Sequence, residues 1–269
     1  MPPASSHSIE YFSGASQSNH DVDVTIIRPW AAGSGPDAGD EYPVIVWGNG
    51  WAQGVQNSEG LTEGYLPGLI EWAKAGPFII VAANQWSVQE SDLLESAQWM
   101  IDQGNTAGSQ YENAIDASAI ALAGHSQGAG AVVKAGGSSI VTATIAMNPY
   151  GPSWVNPGDQ NGPMFILGGT DDLLTPVSSF ASVWTGVQAN GVGGMQAILT
   201  GGTHNEDAWA PADDYYNPDV YDFGEYQEIT ELYLKAMLNG DDRAGRTAKR
   251  KLDKAPWATD YAFTSSFQL

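Results

Sequence analysis

Apolar segments that resemble β-strands alternate along this chain with segments of helical periodicity, and no other feature restricts the fold as strongly. Near-continuous apolar strands separated by helices form parallel sheets that are covered on both faces. The sequence therefore predicts an α/β fold with a mostly parallel central sheet and helices on both faces. The predicted strands are 22–29, 42–50, 78–84, 119–125, 140–149, 163–171 and 195–202, and the predicted helices are 61–76, 91–105, 127–137, 175–187 and 224–238.

The 269 residues of the chain fit a single domain, because a chain of this length buries most of its unfolded surface around one core. No internal repeat and no linker divides the sequence, so we expect residues 1–269 to form one domain. Residues 1–20 and 255–269 are expected to be peripheral or extended. Ser91 is expected to cap the helix that follows it, because a serine oxygen accepts hydrogen bonds from the first N–H groups of a helix.

Acidic residues outnumber basic residues by 31 to 10, which gives a formal net charge of −21. Such a chain repels polyanions, so nucleic acid is excluded as a partner. Before residue 235 the basic residues are Arg28, Lys74 and Lys134, and the others lie in the C-terminal segment. The basic run at 241–254 predicts a solvated face, with a docking site for an anionic partner as the alternative.

The sequence contains no cysteine. Disulfides, thiolate nucleophiles and cysteine-based zinc sites are therefore excluded. No apolar run is long enough to span a membrane, and the first residues lack the pattern of a signal peptide. We expect a protein without a membrane span that is secreted by means of a targeting segment absent from this chain. A cytoplasmic location is the alternative.

Gly124-His125-Ser126-Gln127-Gly128 matches the pattern G-x-S-x-G and lies between a predicted strand and a predicted helix. In that setting the pattern forms a nucleophile elbow, a tight turn that holds the serine hydroxyl above the edge of the sheet. The glycines are needed where the turn presses against its neighbours, because a Cβ would not fit there. The position of the pattern therefore predicts that Ser126 is a nucleophile, with a structural Gly-rich turn as the alternative.

A serine hydroxyl is a weak nucleophile near neutral pH and needs a base within hydrogen-bond reach. The chain has four histidines. His7 and His20 precede the predicted strands, and the side chain of His125 should point away from the neighbouring serine. His204 remains, shortly after a predicted strand, where α/β sheets assemble their sites. The sequence therefore predicts His204 as the base.

An acid that orients the histidine should lie between the serine and the histidine in the chain. Proteins with this elbow carry the three groups in the order Ser, Asp or Glu, and His. Asp171 and Asp172 both follow a predicted strand. We prefer Asp172 for its spacing from Gly169 and Pro176, and we expect Asp171 to cap a turn or to face solvent.

Two backbone N–H groups should bind the negative charge that develops on a substrate carbonyl oxygen. One is expected from Gln127, the residue after the nucleophile. The other is expected from the loop after the strand at 42–50, where we choose Trp51 before Gly50. The alternative for Trp51 is a packed position in the core, because most of the tryptophans must be buried.

Several segments resemble one known family. They are "GNGWAQ" (48–53), "AGHSQGAG" (123–130), "MNPY" (147–150), "LGGTDDLLTP" (167–176), "GGTH" (201–204) and "YLKAMLNGDDRAGR" (233–246). The family is that of the α/β-hydrolases that include bacterial cutinases and PET hydrolases, close to chlorophyllase-like and dienelactone hydrolase-like enzymes. The resemblance spans nearly the whole chain. It implies an enzyme with an α/β-hydrolase fold that hydrolyses esters without a cofactor or a metal.

Matched motif by motif, the resemblance assigns catalytic and substrate-binding roles. Ser126, Asp172 and His204 match the catalytic triad of the family, and Gln127 and Trp51 match its oxyanion-hole positions.

The aromatic positions around the site differ in part from the family. Trp51 and Tyr150 fall where the polyester-degrading members place an aromatic clamp around the ester. Gln127 replaces a usual methionine, and Tyr150 replaces a usual tryptophan. The C-terminal disulfide of the family is impossible here because the chain has no cysteine. These differences leave ester hydrolysis as the expected activity.

The connection between two predicted strands at 150–162 is too short to form a cap domain. The sequence therefore predicts an open cleft. Its rim can include four aromatic residues: Trp51, Tyr150, Trp154 and Trp209. We expect the first three of them to bind substrate. Packing against the protein is the alternative for these aromatic side chains.

We expect a monomeric serine carboxylic-ester hydrolase, similar to cutinases and polyesterases, that acts on polyesters or acyl esters. One alternative is a lipase or small-molecule esterase without polymer activity. Others are a catalytically silent binding protein on the same scaffold and a haloperoxidase-like or acyl-transfer enzyme. The acidic segment 205–219 is expected to be a solvated loop, with a Ca²⁺ site as the alternative.

Overall fold

The structure, a computed structural model, describes residues 8–12, 22–31, 34–37, 39–51, 65–151, 160–189, 191–204, 226–254 and 258–263. Its strands are β1 (Ser8–Phe12), β2 (Val24–Arg28), β3 (Tyr42–Gly48), β4 (Ile79–Ala83), β5 (Ile115–His125), β6 (Ala143–Met147), β7 (Met164–Gly169), β8 (Gly194–Leu199) and β9 (Ala258–Phe263). Its helices are α1 (Leu66–Ala75), α2 (Glu90–Asn105), α3 (Gln127–Ala135), α4 (Val177–Ala189), α5 (Gln227–Asn239) and α6 (Asp242–Leu252).

These strands form one sheet in the order β1-β2-β4-β3-β5-β6-β7-β8-β9. The strands from β4 through β8 in that order run parallel. β1, β2 and β9 join the sheet through antiparallel pairs. Every residue of β3 is buried, which is the pattern of a strand covered on both faces. The predicted α/β class with a mostly parallel sheet is therefore confirmed.

Helices cover both faces of the sheet, as alternate residues of β3 show. Ile45 and Trp47 belong to a core cluster with residues of α1, α5 and α6. Val44 and Val46 belong to a second cluster with residues of α2 and α3. Successive strand residues point to opposite faces, so these two groups of helices lie on opposite sides of the sheet.

The two edge strands, β1 and β9, were not predicted. Their sequences, "SIEYF" and "ATDYAF", mix polar and apolar residues and lack the continuous apolar pattern of the central strands. β1 pairs with β2, and β9 pairs with β8. The described parts of the two terminal segments therefore lie at opposite edges of the sheet.

The start of α2 differs from the prediction. The helix begins at Glu90, with Gln89 as the N-cap, so the assignment of Ser91 as N-cap is wrong. The carboxylate of Asp92 accepts a hydrogen bond of 2.8 Å from the N–H of Gln89. This capping interaction begins the helix before Ser91, which lies inside its first turn.

The basic C-terminal segment forms a helix of its own, α6, which was not predicted. Gly240 ends α5 in a left-handed conformation with a φ of 63°, a conformation that glycine adopts without steric cost. The carboxylate of Asp241 then accepts hydrogen bonds from the N–H groups of Arg243 and Ala244 and caps α6. The basic side chains of α6 are exposed, as both the predicted solvated face and the alternative docking site require.

The connection between β6 and β7 runs from residue 148 to residue 163. Residues 152–159, on which the prediction of an uncapped cleft depends, lie outside the described residues. Among the helices of the described part, none is long and apolar enough to cross a membrane.

Candidate active site

The carboxyl ends of the parallel strands place the predicted site residues at one edge of the sheet. Ser126 follows β5 directly, and Asp172 and His204 lie in the loops after β7 and β8. Trp51 follows β3, and Tyr150 follows β6. Parallel strands end at a common edge, so five loops that are distant in sequence meet there.

Ser126 is held in a strained turn between β5 and α3. Its φ of 53° is unusual for a residue with a side chain. The N–H of Ser126 donates a hydrogen bond of 2.9 Å to the carbonyl of Met147, which fixes the turn to the end of β6. A Cβ on Gly128 would collide with the carbonyl of Gly48 in β3. The glycine therefore lets the start of α3 approach the sheet and hold the serine above its edge.

Ser126, His204 and Asp172 form a continuous hydrogen-bonded chain. Nε2 of His204 lies 2.8 Å from Oγ of Ser126. Nδ1 of His204 lies 2.8 Å from Oδ2 of Asp172. An ionised carboxylate can only accept, so Nδ1 carries the hydrogen and Nε2 offers its lone pair to the serine hydroxyl. This arrangement can move a proton from Ser126 to His204.

Asp172 is buried, and a set of donors holds its carboxylate in place. Oδ1 accepts hydrogen bonds of 2.8 Å from the N–H groups of Leu174 and Thr175. Oδ2 accepts from the side-chain amide of Asn148, at 2.8 Å, and from the hydroxyl of Thr175. Burial alone would raise the pKa of Asp172, but the hydrogen bonds from His204, Thr175 and Asn148 outweigh it and hold the pKa below its usual value. The acid therefore stays ionised beside the histidine.

The two candidate acids, Asp171 and Asp172, have different surroundings in the structure. Asp171 is exposed and its Oδ1 accepts a hydrogen bond of 3.0 Å from the hydroxyl of Thr170. Asp172 is the one that contacts His204.

Thr175 and Asn148 were not singled out in the sequence. The spacing of a threonine three residues after an aspartate, typical of a local Asx-type turn, was the available signal for Thr175. Asn148 has a φ of 47°, and an asparagine directly after a buried strand is a candidate for that left-handed conformation.

Of the residues expected to supply backbone donors for the oxyanion, Gln127 directly follows Ser126, and Trp51 lines the same cleft as Ser126. Gln127 is the first residue of α3, so its N–H has no partner within the helix. The N–H of Gly50 donates to the hydroxyl of Tyr65 at 3.2 Å. Since that donor is already in use, the loop after β3 favours Trp51 over Gly50 as the second donor.

A cleft of about 1080 Å³ lies beside Ser126 and His204. Trp51 and Tyr150 line it, and their side chains are 67% and 55% exposed. A packed core position for Trp51 is therefore wrong. Lys134, about two helical turns after Gln127 on the same face of α3, also lines the cleft. The predicted rim residues Trp154 and Trp209 lie outside the described residues.

The acidic segment 205–219 lies outside the described residues. Within the ranges that the structure does describe, no group of three or more histidine, aspartate or glutamate side chains is arranged to hold a metal ion.

Comparison of the chain with protein-family models finds no match, and comparison with curated proteins finds none either.

Proposed function

We propose that the protein is a serine carboxylic-ester hydrolase with an α/β-hydrolase fold. The observation that carries this proposal is the position of His204, with one ring nitrogen against the hydroxyl of Ser126 and the other against the carboxylate of Asp172. This is the arrangement in which a histidine accepts the serine proton while an acid stabilises the resulting cation. The order of the three residues along the chain agrees with an elbow-type hydrolase.

In the first step, Nε2 of His204 takes the hydroxyl proton of Ser126 as Oγ attacks the carbonyl carbon of the ester. The carboxylate of Asp172 stays ionised, keeps the imidazole in the required tautomer and stabilises its cation. The C=O bond of the ester becomes a C–O⁻ bond in the tetrahedral intermediate. The N–H groups of Gln127 and Trp51 bind this oxyanion.

The intermediate then collapses. His204 gives its proton to the leaving alkoxide, so an alcohol departs and the acyl group stays on Oγ of Ser126. A water molecule, deprotonated by His204, attacks the acyl carbon through a second oxyanion. The carboxylic acid leaves, and Ser126 recovers its proton.

The cleft supports an apolar, extended ester as substrate. Exposed Trp51 and Tyr150 line the cleft, and Leu174 adds an exposed aliphatic side chain. Aromatic surfaces of this kind bind flat or chain-like apolar groups. We therefore propose polyesters or long acyl esters as the substrate class.

The test measures hydrolysis of p-nitrophenyl esters from acetate to laurate and release of soluble product from a polyester film. We expect activity toward the esters, and loss of several orders of magnitude in Ser126→Ala without unfolding. A fluorophosphonate should label the wild type at Ser126 and leave Ser126→Ala unlabelled. Activity on short esters without film hydrolysis would assign a small-molecule esterase. No hydrolysis and no labelling would leave a binding protein on this scaffold.

A further inference from the structure

Two buried side chains, those of Tyr65 and His125, lie between residues 49–51, which follow β3, and residues 200–204, which follow β8. Both side chains are fully buried, and neither lines the cleft. His125 is the residue before the nucleophile, and Tyr65 precedes α1. These two residues do not contact substrate in the mechanism described above, so their polar groups need another explanation.

The polar atoms of Tyr65 and His125 join the two loops through consecutive hydrogen bonds. The N–H of Gly50 donates to the hydroxyl oxygen of Tyr65 at 3.2 Å. The Tyr65 hydroxyl lies 2.7 Å from Nδ1 of His125. Nε2 of His125 lies 2.7 Å from the backbone carbonyl oxygen of His204.

The chemistry of the end groups fixes the direction of every bond. A carbonyl can only accept, so Nε2 of His125 carries the hydrogen and donates to His204. Burial, with a smaller contribution from nearby His204, lowers the pKa of His125 to about 3. The imidazole is therefore neutral near pH 7, and its Nδ1 accepts from the hydroxyl of Tyr65. That hydroxyl in turn accepts from Gly50, so each group has the correct partner.

We propose that Tyr65 and His125 are positioning residues that hold the loop carrying the oxyanion donor and the loop carrying the catalytic histidine at a fixed separation. We call the hydrogen-bonded chain Gly50–Tyr65–His125–His204 the relay. Its Gly50 end fixes the backbone directly before Trp51. The His204 end fixes the backbone of the catalytic base itself. The inference deepens the proposed function and rests on it.

Packing restricts the relay to one arrangement. The ring of His125 lies 4.9 Å from the ring of His204 and 5.7 Å from that of Tyr65, centroid to centroid. The ring of Tyr65 in turn lies 4.9 Å from that of Trp47 in β3. Closely packed rings have few alternative positions. Tyr65, which packs on β3, therefore restricts through its hydrogen bond to His125 where the backbone of His204 can lie.

The proposal is tested with variants that remove one polar group at a time. Tyr65→Phe keeps the ring and removes the hydroxyl. His125→Leu removes both ring nitrogens. His125→Gln keeps an N–H that can reach the carbonyl of His204. The matched control is Tyr233→Phe. The buried hydroxyl of Tyr233 donates a hydrogen bond of 2.7 Å to the carbonyl of Pro163. Pro163 lies directly before the first residue of β7, at the end of the strand away from the site.

We expect kcat for a p-nitrophenyl ester to fall roughly 10-fold in Tyr65→Phe and roughly 100-fold in His125→Leu, since small displacements of catalytic groups and lost buried hydrogen bonds have effects of this size. KM should change less than about 2-fold, because neither side chain lines the cleft. His125→Gln should recover part of the loss. Tyr233→Phe should lower thermal stability and keep the wild-type kcat.

The ¹⁵N shifts of the wild-type histidines provide a readout independent of turnover. They should show His125 neutral at pH 7, with its hydrogen on Nε2 and protected from exchange. His125 hydrogenated on Nδ1 would overturn the relay.

The kinetic outcomes separate the relay from the proposed function. An active wild type in which Tyr65→Phe behaves like Tyr233→Phe, each compared at equal folded fraction, overturns the relay alone. The same holds if His125→Gln is no better than a folded His125→Leu. If the leucine variant does not fold, Tyr65→Phe still decides the question. A wild type that hydrolyses no ester overturns the proposed function and, with it, the catalytic purpose of the relay.

Discussion

Nε2 of His204 lies 2.8 Å from Oγ of Ser126, although 78 residues separate them in the chain. Their strands, β5 and β8, are not neighbours, since β6 and β7 lie between them. The loop after β8 therefore reaches back across the edge of the sheet, over the end of β7, where Asp172 meets it. The contact between Ser126 and His204 forms because β5 to β8 run parallel and end at the same edge of the sheet.

The structure predicts that the two adjacent aspartates have unequal effects. In Asp172→Asn the side chain can no longer stabilise the imidazolium or enforce its tautomer, so we expect kcat for a short ester to fall roughly 10³- to 10⁴-fold. Asp171→Asn is the matched control and should keep nearly full activity, because Asp171 is exposed and contacts Thr170. Steady-state kinetics of both variants would contradict the assignment if Asp171→Asn were the more damaged enzyme.

Thr175 is predicted to support Asp172 through its hydroxyl. Thr175→Val keeps the shape of the side chain and removes the donor to Oδ2 of Asp172. A buried carboxylate that loses a hydrogen bond is less well held and less stable as an anion, so kcat should fall roughly 10-fold. Thr175→Ser restores the hydroxyl and should recover most of the activity. Equal kcat values for the valine and serine variants would show that the hydroxyl has no such role.

Gly128 is predicted to be essential for the fold around the elbow. A Cβ in Gly128→Ala would meet the backbone of Gly48 and Asn49, and backbone cannot move aside as a flexible side chain can. We expect a loss of about 3 kcal/mol in the free energy of unfolding. Gly35→Ala is the control, since nothing lies within 4 Å of its added methyl group. Urea unfolding of both variants measures the difference, and equal stabilities would refute the packing argument.

The buried neutral His125 predicts a loss of stability in mild acid. Its pKa is lowered to about 3 in the folded protein and is about 6.5 in an unfolded chain. Between these values the unfolded state binds a proton that the folded state does not, so stability decreases as the pH falls through this window. From pH 7 to pH 5 His125 should cost about 2 kcal/mol of unfolding free energy.

Urea unfolding of the wild type and of His125→Gln at both pH values measures this cost. Glutamine does not titrate, so the variant should lose less stability than the wild type over the same interval. His204 and Asp172 are titratable groups that shift the pKa of His125, and the titratable hydroxyl of Tyr65 contacts its Nδ1. All three groups remain in the variant. Parallel losses in the two proteins would mean that His125 is not a buried neutral group.

Much of the central fold was predictable because each strand carries its own signal. β3 is apolar throughout and buried at every position, and β5 leads directly into the glycines of the elbow. β1 and β9 were missed because an edge strand has a partner on one side only, which leaves a mixed pattern that resembles a loop. The helix start at Glu90 was missed because the capping bond from Gln89 to Asp92 depends on side-chain direction.

The layered sheet and the short list of residues able to perform the chemistry follow from local patterns in the sequence, namely the apolar strands and the elbow. Three further features became visible in the folded protein: Asp172 rather than Asp171 contacts His204, Trp51 is exposed, and Thr175 and Asn148 hold the acid. These features depend on the direction of side chains from separate strands at a shared edge. No local pattern encodes that direction, since packing of the whole sheet sets it.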